Sequence, residues 1–581
     1  MKRRDTTPVC MCAMALLCVS SIAAPAKDTN STARPRPLYV VYFTPKDREP
    51  FPRWQERLDA IFTDIQQFYR DGMASNGYGP MTFPLERDAQ RRLTIHHVRG
   101  TRPRAFYTGA TGGEMREEVR TALLKEGIDI ERETIALIHA TAQTKRDRTH
   151  GDSPYYGSGS CSSGTAWAND QEWIDLAQVT NRDTNVFYRD RPMSLGAYNS
   201  TMIGGIAHEL GHALGLPHVR PRSCDTATPL MGSGNYTYRN ERRNDGTGSF
   251  LSAPSALLLS QHPLFTGAPV PDQPASADLA AFSAVWSQQC MVIHGQVTGC
   301  PPIQGIALYA DPEGDSDYDA IGYAAPASSS GTFSATVGEF CLCAHELRLG
   351  FCHRGGQVSW EGMPCLLSNG VPLIAELMHA YAWNRIRAGI AHADDTRAAT
   401  ILDTAAADPT LDADVRRRAE NLRAVIATPR PLRAVYPAPA AVAGTNAWLS
   451  DLAWSDAEVG WIGPTRDAVP DSDTRWLMSG DRAHAKGLYA HAPSRYCFDL
   501  DRRWKRLAGS CGLQDGHSGS VEFIIRGDGK ELFRARDVRD TRERLYAVDV
   551  VGVKRLELEV GIADADNGSD WGCWFSPQLA R

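Results

Sequence analysis

The chain has 581 residues, 42% hydrophobic and 22% charged, with a formal net charge of −6. At ~150 residues per domain this is about three or four domains, each long enough to bury a core. Ordinary apolar content and a small charge per residue exclude a mostly disordered chain, and the lack of a basic excess excludes a nucleic-acid partner.

Residues 1–26 read as a secretory signal. Lys2, Arg3 and Arg4 form a basic start, an uncharged stretch runs from Ala13 to Ala24, and Ala24-Pro25-Ala26 offers small residues for cleavage. The stretch is shorter than the ~20 residues that cross a bilayer, and no later run is long enough to anchor the chain. A secreted monomer, periplasmic or extracellular and without a membrane span, is expected. Residues 38–44 then predict a strand and residues 52–73 a helix, with Trp54, Leu58, Ile61, Phe62, Ile65 and Phe68 at helical spacing. A strand follows at 93–98, a helix at 114–125 and a buried strand at 134–140. This alternation predicts an α/β layer with a mainly parallel sheet. The Gly-, Ser- and Tyr-rich residues 150–165 read as a loop, 199–214 as a helix, and the Pro- and Ala-rich residues 266–277 as a linker.

Short strands at 292–297 and 332–337 mark a small β domain over 288–370. Residues 371–428 return to helical spacing, with helices predicted over 373–387 and 396–426. The proline-rich 429–446 reads as a linker, and 521–525, 546–551 and 556–562 alternate like strands of a sandwich over 447–581. Fourteen cysteines fit an exported protein. Three leave with the signal. The rest are Cys161 and Cys224, then Cys290, Cys300, Cys341, Cys343, Cys352 and Cys365, then Cys497, Cys511 and Cys573. Disulfides are expected, the β domain being the cysteine-rich one, with one odd thiol left among the last three. The one-residue gap of Cys341-Leu342-Cys343 argues against a zinc ribbon.

The chemistry lies in His208-Glu209-Leu210-Gly211-His212-Ala213-Leu214-Gly215-Leu216-Pro217-His218. His208 and His212, four apart on a helix, present both imidazoles to one metal. Gly215 ends the helix and lets the chain turn back, so that His218 can be a third ligand. Three protein ligands leave a position for water, as in a catalytic zinc site, and Glu209 stands where a general base is needed. The segment resembles the metzincin zinc peptidases, whose long His-Glu-x-x-His-x-x-Gly-x-x-His motif it matches at every fixed position. The resemblance covers 37–265. It implies a twisted sheet with two helices, the second carrying the zinc ligands, and a methionine turn beneath the metal, for which Met231 in Pro229-Leu230-Met231-Gly232 is the candidate. Some metzincins use a tyrosine two residues after that methionine. Ser233 stands there, and Tyr236 and Tyr238 are the nearby candidates for assisting the metal or transition state.

Residues 447–581 look like an NPCBM-type carbohydrate-binding sandwich, on Trp448-Leu449-Ser450-Asp451-Leu452, Gly460-Trp461, Ala485-Lys486-Gly487-Leu488-Tyr489-Ala490-His491 and Gly527-Asp528-Gly529. Trp448, Trp454, Trp461, Trp476, Tyr489 and Trp574 are available to face a sugar, and the sequence does not choose among them. Asp564, Asp566, Asn567 and Asp570 offer oxygens to calcium. The fold expected is thus multidomain: a metzincin-like α/β catalytic domain, a small disulfide-rich β domain, a helical segment and a C-terminal β-sandwich. The function expected is a secreted zinc endopeptidase directed to glycoproteins or cell-surface glycans. A glycan-binding adhesin with a vestigial peptidase domain is the alternative, and a glycosidase a more distant one.

Overall fold

The computed structural model describes residues 36–142, 153–184, 186–188, 191–312, 318–390, 393, 395–427, 444–470, 476–480, 482–517, 519–539, 542–564 and 567–581. The signal at 1–26 and nearly all of the linker at 429–446 lie outside them. The chain divides into two compact units, Met1–Leu377 and Met378–Arg581. Among the described residues no helix is long and apolar enough to cross a membrane.

The first unit is built on β1 (Tyr39–Thr44), α1 (Trp54–Ser75), β2 (Ile95–Arg99), α2 (Gly112–Leu124), β3 (Thr134–His139), β4 (Tyr156–Gly159), β5 (Gly164–Asn169) and α3 (Leu195–Ala213). The sheet order is β2-β1-β3-β5-β4, parallel throughout except for the outer strand β4. Successive side chains of a strand face opposite ways, so both faces must be covered. Val40, Tyr42, Ala136 and Ile138 face α1 and α3, whereas Val41, Phe43, Ile135 and Leu137 face Met115, Val119 and Leu123 of α2. The helix carrying the histidines is therefore the third, not the second. α2 covers the far face of the sheet.

The stretch read as a loop contains β4. Gly and Ser carry no strand signal, but close packing requires them here: a Cβ on Gly157 would overlap the Glu209 carbonyl oxygen, and one on Gly159 or Gly164 that of Ala213. Only glycine lets this strand lie against the α3 backbone.

The β module has two sheets. One holds strands Ser276–Ser287, Cys290–Cys300 and Thr332–Val337; the other holds Ile321–Pro326, Ile303–Pro312, His345–His353 and Val358–Cys365. It is not a separate disulfide-stapled domain. Ala307, Tyr309, Ala320 and Cys352 belong to the same core as α1 and α3, joined through α4 (Ala253–Leu259). None of the eleven cysteines outside the signal is in a disulfide. Cys161 is a buried thiol and Cys224 an exposed one. Cys497, Cys511 and Cys573 are all buried thiols, so no single odd thiol stands out among them. A module that shares a large core needs no covalent staple, which is the requirement of small isolated domains.

In the second unit, helices Ile374–Ile390, Asp395–Ala407 and Ala413–Ile426 replace the two expected, the first beginning within the preceding unit. The long helix predicted over 396–426 is broken at Asp408-Pro409, where proline cannot continue it, and restarts with Asp412 accepting a bond from the Asp414 N–H at 2.7 Å. The last two helices pack on Trp476 and Met478. The remainder is the expected sandwich. Strands Asp456–Val459, Ser494–Asp499, Arg555–Ile562, Val521–Gly527 and Lys530–Val538 form one sheet, and Gly572–Ala580 lies within the other, with Phe523, Leu558 and Trp574 in the core between them.

Candidate active site

α3 is buried along nearly its whole length and starts at Ser194, whose Oγ accepts the Ala197 N–H at 3.1 Å. It ends as the sequence predicts. Gly215 takes φ +81°, its N–H bonds the His212 carbonyl at 2.9 Å, and the Leu216 N–H bonds that of Gly211 at 3.0 Å. This paired closure reverses the chain and returns His218 to the helix. The Nε2 atoms of His208, His212 and His218 converge, with separations of 3.2, 2.8 and 3.3 Å.

The backbone fixes the orientation of two of these rings. His208 Nδ1 donates to the Leu230 carbonyl at 2.7 Å and His212 Nδ1 to the Leu216 carbonyl at 3.0 Å. A carbonyl only accepts, so the protons sit on Nδ1 and the Nε2 lone pairs face inward. Burial lowers His208 to about 4, which keeps it neutral. Glu209, beside it, is pushed up to about 7 by burial, opposed by a hydrogen bond from the Gly157 N–H. Met231 is buried directly beneath: a Cβ on Gly211 would overlap its Sδ. The Val219 N–H bonds the Met231 carbonyl at 3.0 Å, tying the chain after His218 to this turn.

The two candidate tyrosines differ in setting. The Tyr238 hydroxyl is wholly buried and donates to Asp64 Oδ2 at 2.7 Å. Tyr236 is exposed and meets Tyr188 edge-on at 6.0 Å. A tyrosine that the sequence did not point to lies on the cluster itself. Tyr318, from the β module, stacks on His218 with ring centroids 3.7 Å apart and planes at 28°. Beside the cluster a groove of about 520 Å³ runs between Gly157, Ser158 and His212 on one side and Glu346, Arg348, Trp360 and Glu361 on the other. The β module thus forms one wall of the site. No local motif marks either contribution, because each depends on how two distant segments pack.

Residues 445–580 match the NPCBM/NEW2 domain. Within this domain Trp476, Tyr489 and Trp574 are core residues, whereas Trp461 is 57% exposed and Trp454 lies under the Arg466 guanidinium. Of the expected calcium ligands, Asp566 lies outside the described residues; Asp570 Oδ1 accepts the Ser520 N–H and the Asn567 amide donates to the Ala492 carbonyl. The chain is 25% identical over 142 residues to a Renibacterium salmoninarum protein carrying the name of an endo-alpha-N-acetylgalactosaminidase; the alignment covers 23% of this chain and 9% of that protein. In fold it is similar to wild-type OgpA from Akkermansia muciniphila, with a TM-score of 0.50 and 22% identity over 60% of this chain and 98% of OgpA. Catalytically inactive OgpA in complex with an O-glycopeptide gives a TM-score of 0.49 at the same identity and 60% coverage of this chain.

Proposed function

We propose that the chain is an exported zinc endopeptidase of the metzincin type that cleaves glycoproteins. One observation carries the reading: three imidazole Nε2 atoms converge within 3.3 Å, beside a buried carboxyl that follows the first of them. Three imidazole nitrogens, two of them on rings held by backbone carbonyls, suit zinc and leave a fourth position open. His208, His212 and His218 would hold the ion, over Met231. When bound, zinc supplies Lewis-acid polarisation of the scissile carbonyl and acidifies water.

Glu209 takes the proton from the attacking water and passes it to the leaving amine. A carboxyl raised towards neutrality by burial suits both transfers. The outer strand β4 offers a free edge on which an extended peptide can pair, which orients the bond. Tyr318 shields a face of His218 from water, and Tyr236, exposed where Tyr238 is buried and bonded to Asp64, is the sequence candidate left free to steady the transition state. The groove, with Trp360 for stacking and Arg348 and Glu361 for hydroxyl groups, leaves room for a glycosylated side chain. The NPCBM/NEW2 domain supports direction of the enzyme to glycans. The name of the Renibacterium relative does not make this chain a glycosidase, since the alignment takes in less than a tenth of that protein.

The test uses an O-glycosylated mucin-type protein and its deglycosylated form, with products mapped by mass spectrometry. Cleaved peptide bonds next to glycosylated residues, lost on chelation and reduced at least ~10²-fold in Glu209→Gln with metal content unchanged, are expected. Released sugars with intact peptide, or full turnover by Glu209→Gln, would overturn the reading.

A further inference from the structure

Among the described residues, one other group brings three metal-ligating atoms within 4.8 Å of one another: Cys341, Cys343 and His345. It lies at the bend between strands Thr332–Val337 and His345–His353. Cys341 Sγ is 2.7 Å from Cys343 Sγ and 3.6 Å from His345 Nε2. The sulfurs are not joined in a disulfide, and they must part by about 1 Å to take two corners of a tetrahedron around an ion. The spacing that argued against a zinc ribbon has a different basis here. Cys341 and Cys343 lie two apart in the bend just before the strand that begins at His345, and Leu342 between them is 82% exposed.

His345 is held in the way His208 is. Its Nδ1 donates to the Cys343 carbonyl at 3.0 Å, which leaves the Nε2 lone pair facing Cys341. The ring is 1% exposed and meets Phe340 edge-on at 5.3 Å, so its direction is fixed before any ligand arrives. Cys343 is exposed, which gives an ion a way in.

We propose that Cys341, Cys343 and His345 form a second metal site, taking a thiophilic d¹⁰ cation, zinc or cuprous copper, on two thiolates and one imidazole nitrogen. Binding releases the two thiol protons to solvent. The site also braces the candidate active site. Glu339, two residues before Cys341, accepts from the Ser223 N–H at 2.8 Å and the Ser223 hydroxyl at 3.0 Å, and its carbonyl accepts from Arg220 at 3.4 Å. Those residues lie two and five positions after His218, so an ion at the bend pins the chain just past the third histidine.

The full chain, reduced and stripped of metal, is titrated with cobalt(II) as a stand-in for zinc and, separately, with cuprous ion against a chelator. A thiolate-to-cobalt charge-transfer absorption is expected, because histidines alone do not produce one. It should persist in His208→Ala/His212→Ala and vanish in Cys341→Ser/Cys343→Ser, which should bind one zinc fewer per chain. Cys343→Ser alone alters an exposed residue of the bend and should weaken cobalt binding at least tenfold without loss of fold. The copper arm shows which cation is held more tightly; cysteine-dependent binding of either supports the site. Absence of cysteine-dependent binding of both cations, survival of the cobalt band in the double serine variant, or a Cys341–Cys343 disulfide formed while zinc is present would each overturn the proposal.

Discussion

A single methyl group at Gly211, the residue before His212, would collide with Met231 Sδ. Small-to-large changes in a packed interior cost roughly 1–3 kcal/mol, and here the strain falls on the turn that aims both rings. Gly211→Ala is expected to lower the unfolding midpoint and to weaken zinc affinity together; isothermal titration beside a urea melt checks both. Tyr318 acts on the third ring, stacking on His218. Aromatic pairs contribute about 0.5–1.5 kcal/mol beyond their buried area. Tyr318→Ala is therefore expected to lower kcat/KM by up to about tenfold with the fold intact, and an unchanged kcat/KM would remove Tyr318 from the site. The four residues of the motif were legible in the sequence and Tyr318 was not. The first are fixed by local helix and turn geometry, whereas Tyr318 reaches His218 from about a hundred residues further along the chain.

Among the elements, α3 shows how much a terminus can decide. Gly215 sits at φ +81°, where other residues pay a steric penalty of ~1 kcal/mol or more. Gly215→Ala should destabilise the first unit by about that amount and move His218 off the other two rings, so metal affinity should fall more steeply than stability. Competition with a zinc chelator, set against denaturant unfolding, separates the two effects. β4 was the element missed. Its glycines have low strand propensity, and it exists because only a backbone without side chains can lie against α3 at Glu209 and Ala213. The disulfides expected in the β module failed for a related reason. Cysteine counts speak of compartment, but the shared core with α1 and α3 meets the need for stability that a staple would serve.

For the first unit as a whole, the buried neutral histidines set a pH dependence. Burial lowers His139 and His262 to about 4 each, aided slightly by Arg104 and Arg36 respectively. Their unfolded forms take up protons near pH 6.5, so the unfolded chain binds more protons than the folded one between about pH 6.5 and 4. Stability should fall as pH drops through that window, by up to ~1.4 kcal/mol per pH unit for each histidine, and hold above it. Urea unfolding in the presence of chelator, from pH 7 to 4.5, checks the slope. His139 donates to the Pro154 carbonyl at 2.8 Å and faces the Thr141 hydroxyl; His139→Asn should flatten the profile, and an identical slope would show that this residue does not set it.

The sequence by itself determined the histidine-bearing helix, its glycine stop, the returning histidine, the alternation of strands and helices, and the terminal sandwich. Each of these is written in spacings of a few residues, where helix period, strand period and turn chemistry act alone. The tertiary structure decided which wall closes the groove, why glycine is required along β4, which tyrosine covers the histidines, and that Cys341, Cys343 and His345 face a common point. These features join segments separated by many residues, and the free energy that brings them together is burial of a shared core, which leaves no local pattern to read.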